Sequence, residues 1–326
     1  MILMIGCSAQ PTSSNIETKA GLKIHFIDVG QGASQLIIGP TGQTMLIDAG
    51  NNDKEKLMVD YLNKLHIKKI DILIGTHPDA DHIGGLDAVI NHFDIGKVYM
   101  PKVQANTKTF EDVLTAIQKK GLKVTTAKAG VQLDWEADTT VTMVGPVGTY
   151  EDTNEMSAVL RLTYGDTSFL LTGDAEAQSE KDMLDSKVNL QADVLLVGHH
   201  GSNSSTSKSF LEAVKPKYGM IQVGVNNYGH PTAQILKRLK DQGVQIYRND
   251  LDGHVIFYSD GKQITVKQEK SSASPTSKSS NSKQQGSDVI YNSCAEVKAA
   301  GKAPLRKGDP GYNTKLDGDQ DGIACE

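Results

Sequence analysis

The sequence predicts an α/β domain of two packed sheets flanked by helices, followed by a polar connector and a small cross-linked unit. Three observations carry this expectation. Short apolar runs alternate with helix-like segments from residue 21 to residue 267, punctuated by Gly, Asn and Asp. Residues 268–288 then shift to Ser, Lys, Gln and Asn with a single Pro, a composition that buries too little apolar surface to order itself. Residues 289–326 hold two of the three cysteines, Cys294 and Cys325, in a unit too small to fold on hydrophobic burial alone. Residues 1–20 form a lead-in.

Within the large domain the expected strands run Leu22 to Val29, Gln35 to Ile38, Thr44 to Ile47, Ile70 to Ile74 and Val141 to Val144, then Ala158 to Tyr164, Ser168 to Leu171, Val194 to Val197 and Val255 to Tyr258. Helical periodicity fits Lys54 to Leu65, Gly84 to His92, Thr109 to Lys119, Ser179 to Leu184 and Thr232 to Lys240. Hairpins early, then further hairpins mixed with helices, suit two packed sheets better than one doubly wound parallel sheet. The 326 residues, 38% hydrophobic, suffice for one large core plus something small. A formal charge of -5 argues against a wholly basic nucleic-acid coat protein. No run of about 18 apolar residues is present to make a membrane-spanning helix, so no channel is expected.

The central signal is Thr76-His77-Pro78-Asp79-Ala80-Asp81-His82-Ile83-Gly84-Gly85, directly after an apolar strand and before a helix. His77, Asp79, Asp81 and His82 put four donors into six residues. A strand-to-helix turn splays such side chains into one pocket, where carboxylate oxygen and imidazole nitrogen hold a divalent ion and the glycines let backbone pass closely. A lone His here would read as a solvated residue of a capping turn, but four donors after a buried strand favour metal. Two distant segments end in the same way. Leu170-Leu171-Thr172-Gly173-Asp174 brings a carboxylate to a sheet edge, placed to bridge two ions, and Val194 to Gly198 runs into His199-His200-Gly201-Ser202. Alone, Asp174 reads as the cap of the next helix; three strand ends bearing Asp or His make a shared pocket the simpler account. Asp48, in Ile47-Asp48-Ala49-Gly50, fits a carboxylate standing behind the ligands and orienting one of them.

These motifs resemble the metallo-β-lactamase superfamily, whose signature is a His-x-His-x-Asp-His turn, a Gly-Asp strand end and a late His. Here Asp79 takes the second position in place of His. With His25-Phe26-Ile27-Asp28-Val29-Gly30-Gln31-Gly32-Ala33-Ser34, the His199–Ser202 block and Asn227-Tyr228-Gly229-His230-Pro231, residues 22–267 are similar to the ComEC-like branch, the hydrolase domain of a bacterial competence protein that forms a DNA-uptake channel. The resemblance implies a four-layered αββα sandwich and a metal-dependent hydrolase holding two ions, manganese or zinc. It implies His77 and Asp79 on one ion, Asp81 and His82 on the other, Asp174 bridging, and one of His199 and His200 completing the set. His200 is favoured because superfamily members often place that ligand directly before a Gly. The superfamily also has a His before the Gly-Asp strand; the stretch here reads Asn154-Glu155-Met156-Ser157, so water or Asn154 is expected to complete that site. An oxygen-rich donor set shifts preference from zinc toward manganese.

Two ions about 3.5–4 Å apart would acidify a bound water for attack. Asp81 and His230 stand nearest the chemistry in this reading, His230 as proton donor or phosphate contact, with a purely structural loop role as its alternative. The implied substrate is a phosphodiester, DNA first. Seven lysines against two acidic residues between Lys97 and Lys128, and a second cluster at Lys237, Arg238 and Lys240, would either track a phosphate backbone or merely solvate helical faces. An aromatic content of 5% offers little for base stacking. Two alternatives keep the fold: a phosphoester hydrolase of wall or teichoic-acid components, and a non-catalytic calcium-dependent surface-binding protein. The second would show lost ligands, and nearly all are present. β-Lactam hydrolysis resembles branches with a different ligand set and is not expected.

Asp317-Gly318-Asp319-Gln320-Asp321-Gly322-Ile323-Ala324-Cys325-Glu326 places carboxylates at alternate positions and then Gly, as a calcium loop begins. With Cys294-Ala295-Glu296 and Gly308-Asp309-Pro310-Gly311-Tyr312 it resembles the Excalibur domain, a small extracellular calcium-binding module. That implies calcium on Asp317, Asp319, Asp321 and Glu326, and a Cys294–Cys325 disulfide worth ~2–4 kcal/mol. Met1-Ile2-Leu3-Met4-Ile5-Gly6-Cys7-Ser8 resembles the end of a bacterial lipoprotein signal without its basic start, making Cys7 the expected lipidation site. A lipid anchor as the sole membrane attachment, an oxidising exterior, association with the cell wall and a monomeric state complete the expectations.

Overall fold

The computed structural model describes residues 21–269, 293–299, 301–306, 312, 316 and 323–325. Cys7, the connector from residue 270 to 288, and the calcium candidates Asp317, Asp319, Asp321 and Glu326 lie outside the described residues. The chain divides into two compact units, Met1–Ser274 and Pro275–Glu326. Among the described residues no helix is long and apolar enough to cross a membrane.

Six strands open the large unit: Leu22–Phe26 (β1), Gln35–Ile38 (β2), Thr44–Ile47 (β3), Lys69–Ile74 (β4), Asp94–Met100 (β5) and Val124–Thr126 (β6). A second sheet follows from Gln132–Leu133 (β7), Thr139–Gly145 (β8), Val159–Tyr164 (β9), Thr167–Leu171 (β10), Val194–Leu196 (β11), Tyr218–Ile221 (β12) and Gln245–Arg248 (β13). His254–Ser259 (β14) and Ile264–Glu269 (β15) then return to the first sheet. The strand orders are β15-β14-β1-β2-β3-β4-β5-β6 and β13-β12-β11-β10-β9-β8-β7.

Each sheet is antiparallel in one half and parallel in the other, the parallel runs being β3 to β6 and β10 to β13. Parallel neighbours need crossovers. Helices Glu55–Lys64, Leu86–His92 and Lys108–Lys119 supply them for the first sheet, and Ala177–Asp185, Lys208–Val214 and Ala233–Asp241 for the second. Side-chain alternation sends Ile24, Phe26, Ile72 and Ile74 into a core shared with Leu160, Leu162, Phe169 and Leu171 of the opposite sheet. The outer faces are covered too: Leu46, Leu73 and Val98 pack with helix residues Met58, Leu62, Val89 and Ile117, and Leu170, Leu195 and Ile221 with Met183, Leu211 and Leu239. Four layers, αββα, follow from these three apolar interfaces.

In the small unit, the helix Cys294–Ala299 and a two-stranded ladder of Leu305–Arg306 with Ile323–Ala324 surround Val297, Leu305, Leu316 and Ala324. A disulfide joins Cys294 to Cys325.

Candidate metal centre

The carboxyl ends of the parallel strands meet at one edge of the sandwich, where side chains leave the ladders and face open space. There β3 delivers Asp48, β4 delivers Thr76 and His77, β10 delivers Asp174, β11 delivers His199 and His200, and β12 delivers Gln222. Pairing of Ile47 with Ile74 sets the register that brings Asp48 level with the start of the Thr76–His82 turn. A single helical turn, Ala80–Ile83, carries Asp81 and His82 back over the strand end, with Asp79 just before it. Two glycines admit this packing. A Cβ on Gly32, at φ +140°, would lie 2.4 Å from the Asp81 carbonyl oxygen, and one on Gly85 would lie 2.5 Å from that of Ala49.

Each ring is held by its Nδ1. His82 Nδ1 donates to Asp48 Oδ2 at 2.7 Å, and His200 Nδ1 to the Gln222 carbonyl at 2.7 Å. His199 Nδ1 donates to Glu176 Oε1 at 2.7 Å. Thr76 gives its hydroxyl proton to Asp48 Oδ2 at 2.7 Å and so accepts from His77 Nδ1 at 3.0 Å. With each ring neutral, these bonds leave its unprotonated Nε2 facing the same place. The Asp174 carboxylate stands there, 3.1 Å from Nε2 of His82, 3.4 Å from His200, 3.7 Å from His199 and 4.0 Å from His77.

Acceptors thus face acceptors, and something positive has to lie between them. Nε2 of His82 and His200 are only 3.3 Å apart, and His77 Nε2 is buried without a hydrogen-bond partner. Burial, with His82 beside it, pushes the His77 pKa down, so that ring takes no second proton. Burial alone would lower His82 as well, but Asp174 and Asp48 outweigh it and hold the ring well above its ordinary value. Against its own burial, Asp174 is held well below the carboxylate range by His200 and His82. Asp81, 3.2 Å from His200, is held at about 2 in the same way, burial being outweighed by His200 and His82. A donor set with this hunger for positive charge fits divalent metal, and its atoms form two groups, His77 with His82 and Asp174, and Asp81 with His82 and His200.

The centre opens into a cleft of about 430 Å³ lined by Gln31, Asn51, Asp79, Tyr228 and His230 besides the ligands. Asp79 Oδ2 lies 4.0 Å from His77 Nε2, while its Oδ1 accepts from Thr153. His230 packs its ring edge-on to His199. Asn154 does not line the cleft, and its Oδ1 is buried without a hydrogen-bond partner. Its amide donates to Glu176 at 3.4 Å, and the position nearest His77 on that segment belongs to Ser157, 3.4 Å from Nδ1. Glu176 and Gln222 went unnoticed in the sequence. Glu176 reads as a helix cap, and Gln222 holds His200 through its backbone carbonyl, which has no side-chain signature. Of the basic runs, Lys108 and Lys237 pair with Asp112 and Asp241, Arg238 donates to the Ser205 and Thr206 carbonyls, and among the described residues no lysine or arginine lines the cleft.

Comparison with known proteins agrees with this geometry. The model of the metallo-β-lactamase superfamily matches residues 27–225, and that of the Excalibur calcium-binding domain matches residues 291–326. ComE operon protein 3 of Bacillus subtilis is 32% identical over 254 residues, which are 72% of this chain and 33% of that protein. Competence protein ComA of Neisseria gonorrhoeae is 31% identical over 71% of this chain and 31% of that one. The chain therefore spans about a third of the length of the curated relatives it matches. Among solved structures, the metallo-β-lactamase fold protein YhfI of Bacillus subtilis superposes with a TM-score of 0.47 at 14% identity, over 73% of this chain and 100% of that one. The matched span 27–225 exceeds half the chain and takes in the His77–His82 turn, Asp174 and the His199–His200 pair, and on that ground this chain belongs to the metallo-β-lactamase superfamily.

Proposed function

We propose that this chain is an extracellular metal-dependent phosphodiesterase that hydrolyses DNA. The observation that carries the reading is the convergence of four imidazole Nε2 atoms on the Asp174 carboxylate at the floor of an open cleft. Manganese or zinc ions seated there would supply an acidified water and neutralise charge on a phosphoryl group. His77 and Asp79 would hold one ion, Asp81, His82 and His200 the other, and Asp174 would reach both. His199, braced by Glu176, would be an extra donor where the 154–157 stretch offers no histidine.

The remaining groups position and bind. Asp48, Glu176 and the Gln222 carbonyl fix the rings before substrate arrives, so little reorganisation is left for the reaction. Burial, with His199 and His200 nearby, pushes the His230 pKa down, so a neutral ring N–H is available to hydrogen-bond a phosphate oxygen. Similarity to competence proteins supports DNA as substrate. The Cys294–Cys325 disulfide supports an exported setting, because such bonds persist in oxidising compartments. Lipidation at Cys7 and calcium at Asp317, Asp319, Asp321 and Glu326 belong to the same reading.

The test is hydrolysis of DNA, a wall-type phosphodiester and a phosphocholine ester by manganese- or zinc-loaded protein and by His82→Ala, with bound metal counted in both. Loss of DNA cleavage and of about one ion per chain in the variant is expected. Equal DNA cleavage by the two proteins, or none by the parent under either ion, would sink the reading.

A further inference from the structure

The loop between β12 and the helix Ala233–Asp241 walls one side of the cleft and shows two large side chains to solvent, Val225 at 99% and Tyr228 at 73% exposure. A single exposed aromatic is ordinary. This one lines the metal cleft. Its ring centroid lies 5.8 Å from that of His230 at an interplanar angle of 32°, and His230 lies 5.5 Å from His199. A row of rings thus leads from open solvent to the ion ligands.

The loop is fixed from within. Asn226 Nδ2 donates to the Gly224 and His230 carbonyls, and Asn226 Oδ1 accepts from the Tyr228 and His230 N–H groups. The aromatic face is therefore held ready, and little freedom is lost when a ligand lies against it. On the other wall the side-chain oxygens of Asn51 and Gln31 are taken by the N–H groups of Asn52 and Gly224, which leaves their NH2 groups to donate to a ligand. Among the described residues no lysine or arginine lines the cleft, so they offer no cationic wall for holding a polymer by its backbone. Beyond the phosphate at the ions, grip on a chain would come from its bases.

We propose that Tyr228 is a stacking platform for the nucleobase next to the scissile phosphate, in a strand whose bases are unpaired. The proposal rests on the DNA-hydrolase reading and narrows its substrate to single strands and frayed ends. A phosphate at the ions has its base one sugar away, a reach comparable to the 5.5 and 5.8 Å ring steps from His199 through His230 to Tyr228. Every base has a π face, so such a platform tolerates any sequence, whereas a duplex keeps those faces stacked on its own neighbours. The low aromatic content of the chain hides this, since one ring in the right place suffices.

The full chain, metal-loaded, is titrated into a fluorescent single-stranded oligonucleotide, the same strand with abasic positions, and its duplex, while cleavage is followed separately. The parent is expected to bind the base-bearing strand about tenfold more tightly than the abasic strand or the duplex. That ratio falls to about one in Tyr228→Ala and returns in Tyr228→Trp. A parent ratio near one, or a ratio unchanged in Tyr228→Ala, overturns the platform even if DNA is cut. Base-dependent binding that Tyr228→Ala abolishes, without cleavage by the parent, upholds the platform while removing the nuclease reading.

Discussion

Asp48 accepts the Thr76 N–H at 2.8 Å and the Thr76 hydroxyl and His82 Nδ1 at 2.7 Å each, so one carboxylate orients His82 directly and His77 through Thr76. Asp48→Ala is expected to weaken metal binding ~10–100-fold, read by calorimetric titration, because two ligand rings lose their anchor. His25 shows a different burial. Its ring sits under Tyr61, with Nδ1 3.0 Å from the phenol oxygen, and burial pushes its pKa down to about 4. The folded state therefore refuses a proton that the unfolded chain accepts at 6.5, and stability present above pH 6.5 is lost as pH falls through about 4. That loss is worth ~3 kcal/mol, and in His25→Gln the slope of urea stability between pH 7 and 4 should flatten by about this amount. At this scale the sequence showed Asp48, His77, Asp79, Asp81, His82, Asp174 and the His199–His200 pair as candidates, because each sits at an abrupt strand end. It could not separate His199 from His200. Both rings face Asp174, since both residues take left-handed backbone, φ +46° and +51°, and that conformation is invisible to periodicity.

The segment from Gly198 to Ser207 holds one short helical turn, His199–Gly201, and is otherwise irregular, and it is tied down accordingly. Ser205 Oγ donates to the Gly198 carbonyl, Thr206 Oγ1 accepts the Gly198 N–H, and buried Glu180 accepts the Thr206 and Ser207 N–H groups. These ties hold His199, His200 and Thr206 in a backbone region that non-glycine residues occupy at a cost. Glu180→Ala strands two amides, so urea denaturation should register ~1–3 kcal/mol for each, together with weaker metal binding though Glu180 touches no ligand. Strands read from the sequence where both faces are apolar, as in β3 and β10, were found within a residue or two. Missed were β5, apolar only in its second half; β12, interrupted by Gly219; β15, whose outward residues are polar; and the short β6, β7 and β13. All six owe their form to a neighbour's ladder rather than to their own pattern.

For the molecule as a whole, the small unit depends on its cross-link. Cys294 and Cys325 are 31 residues apart, a loop whose closure is worth ~3–4 kcal/mol. Reduction should therefore expose sites within residues 293–325 to protease, seen by mass spectrometry of the fragments. The large unit joins its halves by other means. Gln222 Nε2 donates to the Ile27 and Ser34 carbonyls, its Oε1 accepts from Gln35 at 2.5 Å, and its own carbonyl holds His200. One glutamine thus clasps the second sheet to the first while aiming a ligand. Four of the donors ride on the first sheet and three on the second, like two jaws that meet only when the sandwich has shut. A complete donor set would therefore exist only once both sheets are in place. Ions seated there would rivet the seam, so metal loading is expected to raise the temperature at which the layers part.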